Sequence, residues 1–159
     1  MHADIYLSVQ TRRAGKVKGE AVAPDHEGEI AIRSWNWGAS SNTPQGASQP
    51  TSRRSYRHLV LVKSIDSAST ALLNALATND EVREAKLTMR KAGDGQQDYF
   101  FLTLNAARVV GLDLETGESG ETLERVTLAF SKVQIEYRPQ QSTGGRGASF
   151  TFNDDVLPT

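Results

Sequence analysis

The sequence predicts a mainly β fold: a small antiparallel β-barrel or sandwich of about seven strands, with one short α-helix packed outside. Three observations predict it. Apolar and polar residues alternate in segment after segment, which is the period of a half-buried strand. Glycine-punctuated turns separate those segments. Both tryptophans, Trp35 and Trp37, stand one residue apart in the stretch Gly28 to Gly38. Residues i and i+2 of a strand share a face, so the two rings form adjacent apolar plates. That pattern suits a β core better than a ligand platform, and both side chains are expected to be largely buried.

The elements follow in order. Ile5, Leu7 and Val9 alternate with polar neighbours and read as the first strand. Gly15 to Glu20 is a glycine-punctuated loop. Glu29 to Gly38 is the second strand, and its apolar phase shifts from Ile30 and Ile32 to Trp35 and Trp37. Either both faces are covered or a bulge near Ser34 resets the register. Residues 39 to 55 form an extended polar loop with almost nothing to place in a core, longer than an ordinary connection. Leu59-Val60-Leu61-Val62 is apolar on both faces and belongs in the middle of a sheet.

From Asp66 to Asn79 the period changes. Leu72, Leu73 and Leu76, with Ala68, Ala71 and Ala75 around them, mark a short amphipathic helix. Asp66, Ser67 or Ser69 suits its start and Asn79 its end. Ala85, Leu87 and Met89 alternate in the next strand. A turn at Ala92 to Gly95 joins it to a long strand, Gln97 to Leu114. Gly117 to Glu121 is a second turn. Val126, Leu128 and Phe130 alternate, then the phase slips to Val133, Ile135 and Tyr137, as a bulge at Ser131-Lys132 would produce. A glycine loop, Gly144 to Gly147, leads to a last strand with Phe150 and Phe152, and a short tail follows residue 153.

The chain of 159 residues fits one domain, 1–159, large enough to fold without disulfide or metal. It has no cysteine, which excludes a disulfide framework and a thiol nucleophile. His2, His26 and His58 lack metal-like spacing. Eighteen basic against nineteen acidic residues give a net charge of −1, so no global field draws the protein to nucleic acid. The N-terminus does not read as a secretory signal, and no apolar run approaches membrane-spanning length, so no membrane insertion is expected. The expectation is a chain made in the cytoplasm and exported, if at all, without a cleaved leader. No catalytic or cofactor-binding set emerges. Gly144 to Gly147 lacks the Lys-Ser/Thr of a phosphate loop, and no Gly-x-Ser-x-Gly elbow exists. The carboxylate pairs Glu27/Glu29 and Asp154/Asp155 read as solvated surface rather than acid–base machinery.

An ordered set of motifs points further. Ile5-Tyr6-Leu7, Val17-Lys18-Gly19-Glu20, His26 with Glu29-Ile30, and Ser34-Trp35-Asn36-Trp37-Gly38 come first. Lys63-x-Ile65-Asp66-x-x-Ser69, then Ala85 to Gly93 with its Arg-Lys-Ala-Gly end, and Tyr99 follow. Val126 to Gln140 closes the core. In this order the chain resembles the haemolysin-coregulated protein (Hcp) family, the tube protein of bacterial type VI secretion. Arg12 and Arg13, and the whole of residues 39–55, depart from the family pattern.

The resemblance implies a homohexameric ring, stacked into a hollow tube and secreted, with no cofactor. Implied partners are its own copies, a VgrG spike, the contractile sheath and small effector proteins carried in the lumen. The short tail implies a bare subunit without a toxic C-terminal domain. Asn36 points away from the tryptophans, which makes it the candidate cargo contact on a luminal face. A strand-edge asparagine with an ordinary hydrogen bond is the alternative. Ser40, Asn42, Gln45, Arg53 and Arg54 are candidate ring-stacking residues, with Arg53 or Arg54 pairing with carboxylates of the next ring. A phage-like tail-tube protein and a secreted effector enzyme are the competing readings.

Overall fold

The structure is a computed structural model and describes residues 4–41, 54–91, 97–139 and 148–156. Within them the chain forms twelve strands and one helix. The strands before the helix are β1 (Asp4–Thr11), β2 (Gly15–Lys16), β3 (Ile30–Ile32), β4 (Ser34–Asn36), β5 (Ala39–Ser41), β6 (Arg54–Tyr56) and β7 (Leu59–Ser64). The helix, α1, spans Ala68–Ala77. After it come β8 (Val82–Arg90), β9 (Asp98–Thr116), β10 (Thr122–Ala129), β11 (Lys132–Tyr137) and β12 (Phe150–Asp155).

Strand β9 joins two layers. Its first part pairs with β8 on one side and β11 on the other. This layer continues through β1 to β2 and β3, and through β11 to β12. From Arg108 to Thr116, β9 pairs instead with β10, and the second layer runs β9-β10-β7-β4. All these pairings are antiparallel. The core between the layers is built from Leu7, Val9, Ile30, Leu59, Leu61, Leu87, Leu102, Leu104, Val126 and Leu128. The expected mainly β fold with one helix is therefore found. The strand count exceeds seven because two expected strands are each divided and short pairs form at loop ends.

Both phase slips in the sequence have the same cause, and it is not a bulge. At Arg33 the chain leaves β1, the partner of β3, and joins β7, the partner of β4. The Arg33 N–H donates to the Val62 carbonyl at 2.8 Å across this switch. At Phe130 and Ser131 the chain likewise leaves the second layer for the first, where β11 pairs with β9 and β12. A strand that changes layers must change which parity faces the core.

The polar segment 39–55 is not loop throughout: its ends pair as β5 and β6, with Ala39 opposite Tyr56 and Ser41 opposite Arg54. β7 lies between β10 and β4, the mid-sheet place expected for Leu59 to Val62. The expected turns at Ala92 to Gly95 and Gly144 to Gly147 lie outside the described residues.

Helix α1 buries Ala68, Leu72 and Ala75 against the core, while Leu73 is exposed. Its N-cap residue, Ser67, makes no capping bond through its side chain. Asp66 does that work: Oδ1 accepts from the Ala68 N–H at 2.9 Å. Glu20 Oε2 accepts from the Ser67 N–H at 2.6 Å. These acceptors satisfy N–H groups that a helix start leaves unpaired. At the other end Asn79 takes a left-handed conformation, φ 55°, as a helix-terminating asparagine does. The Val17-Lys18-Gly19-Glu20 motif packs its backbone against residues 28–30. A Cβ on Gly19 would collide with the Glu29 carbonyl, so only glycine fits.

Candidate functional site

Parity fixes what each face of the second layer presents. Leu59, Leu61, Lys63, Glu124, Val126 and Leu128 turn inward and are buried. The alternate residues form the opposite face. There Asn36 stands in register with Val60, which faces Thr127, which faces Gly111. The next row is Ser34, Val62, Arg125 and Asp113, and beyond it lie Leu123 and Glu115. Asn36, Ser34, Arg125 and Asp113 are exposed. The lower end of this face is hollowed into a cleft of about 510 Å³ lined by Val62, Leu123, Asp113, Glu115 and Arg125. Row one is small and polar, and the cleft is apolar at its base with acidic and basic groups around it. Such a face offers apolar and charged groups for noncovalent contact. Among the described residues no group of three or more His, Asp or Glu is placed to hold a metal ion.

Sequence reasoning singled out Asn36 and missed Arg125, Asp113 and Glu115 beside it. Alternation shows that each of these is surface, but only the register brings them onto one face with Asn36.

The tryptophans turn to the other side of β4. Trp35 stacks on Phe100 at 5.7 Å between centroids, and Trp37 stacks on Tyr56 at 5.7 Å with Phe130 tilted beside it at 6.4 Å. Both are mostly covered by the core yet short of full enclosure. The reason is position. β4 is a three-residue edge strand that pairs with β7 alone among the described residues, so core atoms cover its side chains from one side only.

Of the stacking candidates, Asn42, Gln45 and Arg53 lie outside the described residues. Ser40 is exposed on β5, opposite Ser55. Arg54 already has a carboxylate within its own chain. Its guanidinium donates to Asp154 through Nε, and Nη2 donates to Asp154 Oδ1 at 3.1 Å. The Tyr56 hydroxyl donates to Asp154 Oδ2 at 2.5 Å. Within its own chain Arg54 thus ties β6 to β12. The hydrogen bonds from Arg54 and Tyr56 hold the Asp154 carboxyl below its ordinary range. Burial, then the bonded Asp154, pushes the Tyr56 hydroxyl up.

Two further polar networks fix the scaffold. Lys63 and Glu124 are both fully buried. Lys63 Nζ lies 2.5 Å from Glu124 Oε1, 2.7 Å from Asp66 Oδ1 and 3.1 Å from Ser69 Oγ. The Ser69 hydroxyl donates to Glu124 Oε1 at 2.6 Å. This is the physical content of the Lys63-x-Ile65-Asp66-x-x-Ser69 motif: it locks β7, β10 and the start of α1 together.

The second network centres on His26, whose ring stacks on Tyr6 at 4.5 Å. Its Nδ1 lies 2.8 Å from Glu29 and its Nε2 2.9 Å from Asp98. Arg90 donates to the other Asp98 oxygen at 2.8 Å and to the Pro24 carbonyl at 2.8 Å. Burial pushes the Asp98 carboxyl up, but the bonds from Arg90 and His26 outweigh it and hold it below the ordinary range.

The comparisons place this scaffold. A family model described as the type VI secretion system effector Hcp matches residues 6–137. The chain belongs to the Hcp family. Protein hcp1 of Pseudomonas aeruginosa is 32% identical over 152 residues, which cover 92% of this chain and 90% of that protein. Hcp1 of Salmonella typhimurium superposes with a TM-score of 0.77 at 27% identity, over 98% of this chain and 95% of that one. A type VI secretion system effector from Yersinia pestis has the same fold, with a TM-score of 0.77 at 20% identity over 96% of this chain and 100% of its own. As an Hcp protein the chain is a tube protein of type VI secretion, a structural component of a self-assembling, secreted family.

Proposed function

We propose that six copies of this chain close into a ring, that rings stack into a hollow tube, and that the Asn36 face of the second layer lines its lumen. The protein acts there as wall and carrier, without catalysis. It is made in the cytoplasm and leaves through the type VI machine without a signal peptide. Its partners are its own copies, small effector proteins in the lumen, a VgrG spike and the surrounding contractile sheath. The segment between β5 and β6 meets the adjoining ring.

One observation carries the luminal assignment. The Asn36 face is open across four strands while the opposite face of the same strands is filled by core. A single chain leaves that face in solvent, and in a ring it has room for small proteins. Gly111 and Thr127 keep the row beside Asn36 low, so a bulky residue at position 36 rises above its neighbours.

The test is direct. Negative-stain images of the purified protein are expected to show rings with a central hole. Asn36→Trp is expected to keep those rings and to lose most of a co-expressed small effector on purification. Compact monomers overturn the ring reading. Intact rings with undiminished effector retention overturn the luminal assignment.

A further inference from the structure

His58 lies in solvent, but His26 is buried, 6% exposed. Both nitrogens of its ring meet carboxylates. Nδ1 lies 2.8 Å from Glu29 Oε1, and Nε2 lies 2.9 Å from Asp98 Oδ2. An ionised carboxylate only accepts, so each contact is a hydrogen bond only when that nitrogen carries a proton. The imidazolium serves both carboxylates at once. The neutral ring serves one and turns a lone pair toward the other.

The groups around the ring come from several elements. On β1, Tyr6 stacks on the imidazole. Burial first, then the charge of Asp4, pushes the Tyr6 hydroxyl up, so that ring adds no charge near neutral pH. On β8, Arg90 donates to Asp98 Oδ1 and to the Pro24 carbonyl, each at 2.8 Å. On β9, Asp98 is thereby shared between Arg90 and His26. The segment that carries His26 adds Glu29 itself and Asp25, whose charge acts on Arg90.

Segment 17–29 depends on this cluster. It is folded on itself: the Gly19 N–H donates to the Gly28 carbonyl, the Ala21 N–H to the Glu29 carbonyl and the Gly28 N–H to the Ala21 carbonyl. Its turn at Ala23 to His26 puts Asp25 at φ 68°, a left-handed conformation that favours glycine. Beyond the buried Val17 and Ala21, the segment is fastened to the first layer by the His26 stack, the Asp98 contact and the Arg90 bond to Pro24. Its other end reaches α1. Glu20 accepts the Ser67 N–H at 2.6 Å, and the Lys18 carbonyl accepts the Ser67 hydroxyl at 2.9 Å. Between these anchors the segment holds Val22 in solvent, 88% exposed.

We propose that His26 is a pH-sensitive clasp: with both ring protons it fastens segment 17–29 to the first layer, and loss of one proton loosens that segment and the start of α1 with it. A clasp that needs a proton weakens as pH rises, opposite in sign to the acid-side loss of a carboxylate's bonds. The surface around Val22 is then held in one shape only while the clasp is closed.

Hydrogen–deuterium exchange of the full chain, read by mass spectrometry at about pH 6 and about pH 8.5 and corrected for the intrinsic exchange rate, tests the proposal. Peptides covering 17–29 are expected to lose protection at least about tenfold at the higher pH, while peptides from β8 and β9 around Leu87 and Leu102 keep theirs. His26→Gln has no ring to protonate and is expected to exchange fast over 17–29 at both pH values. Glu29→Gln keeps an acceptor without its charge and is expected to shrink the pH-dependent change at least about threefold. Equal protection of 17–29 at the two pH values in the wild type overturns the proposal without any variant. An undiminished change in a folded His26→Gln also overturns it, because another group then titrates. A loss of protection shared by β8 and β9 overturns it as well, since the opening is then global.

Discussion

Replacing Lys63 with methionine removes the one cation from a cluster in which it and Glu124 are fully buried. Lys63 Nζ contacts Glu124 at 2.5 Å, Asp66 at 2.7 Å and Ser69 at 3.1 Å. Met fills nearly the same volume, so the cavity contribution is small and the effect is electrostatic. Glu124 has no access to water, and its Oε2 already lacks a partner among the described residues. Without Lys63, the charge on Oε1 is met only by the Ser69 hydroxyl. Removing one partner of a buried pair costs about 3–5 kcal/mol. In a domain of this size that lowers the melting temperature by roughly 6–20 °C.

Differential scanning calorimetry at a fixed protomer concentration reads the effect, since assembly couples to stability. The double variant Lys63→Met/Glu124→Leu is expected to recover much of the loss, because replacing a buried ion pair with apolar groups is often near neutral. A Lys63→Met protein that melts within about 2 °C of wild type would refute the reasoning, for it would mean that Glu124 reaches water or a proton at little cost.

Trp35→Ala is expected to lose the stack on Phe100 and to destabilise the fold by about 1–3 kcal/mol, below the range for a fully enclosed tryptophan. Denaturant titration checks it, and an unchanged midpoint counts against the packing described. Asp98→Asn tests the acid limb of stability. The folded-state carboxyl is held below its unfolded value, so its stabilisation is complete above about pH 4 and is lost as pH falls from there through the lower folded-state value. Between about pH 6 and pH 3, the melting temperature of the variant is therefore expected to fall less steeply than that of the wild type, and parallel slopes would contradict it.

Much of this fold was legible in the chain because strand parity is a local signal. Ile5, Leu7 and Val9 announced their inward face, and Leu59 to Val62 announced a strand in the middle of a sheet. The change of period at Asp66 announced the helix. The two phase slips were legible as events but not as what they are. A bulge and a change of sheet leave the same mark in sequence, because both exchange the parity that faces the core. Only the pairing of β3 with β1 and of β4 with β7 separates them. The incomplete enclosure of Trp35 and Trp37 was not legible for a related reason: the sequence shows that two rings share a face, not that their strand is an edge.

The polar sites show where local reading stops. Lys63 continues the inward series Leu59, Leu61, and parity alone places a charge in the core. A buried charge demands a partner, so the sequence carries the question. The answer, Glu124, lies 61 residues away and is reached only because β7 and β10 pair in a register that sets the two opposite each other. Arg54 and Asp154 are separated by 100 positions and meet through the placement of β12 beside β11. The same holds for the candidate site itself. Asn36 was identifiable from its place between two tryptophans, but the Arg125, Asp113 and Glu115 that share its face come from strands whose register no single segment encodes. What a β protein shows to a partner is set by cross-strand neighbours. Local periodicity fixes which residues are available for that surface, and long-range pairing decides which of them stand together.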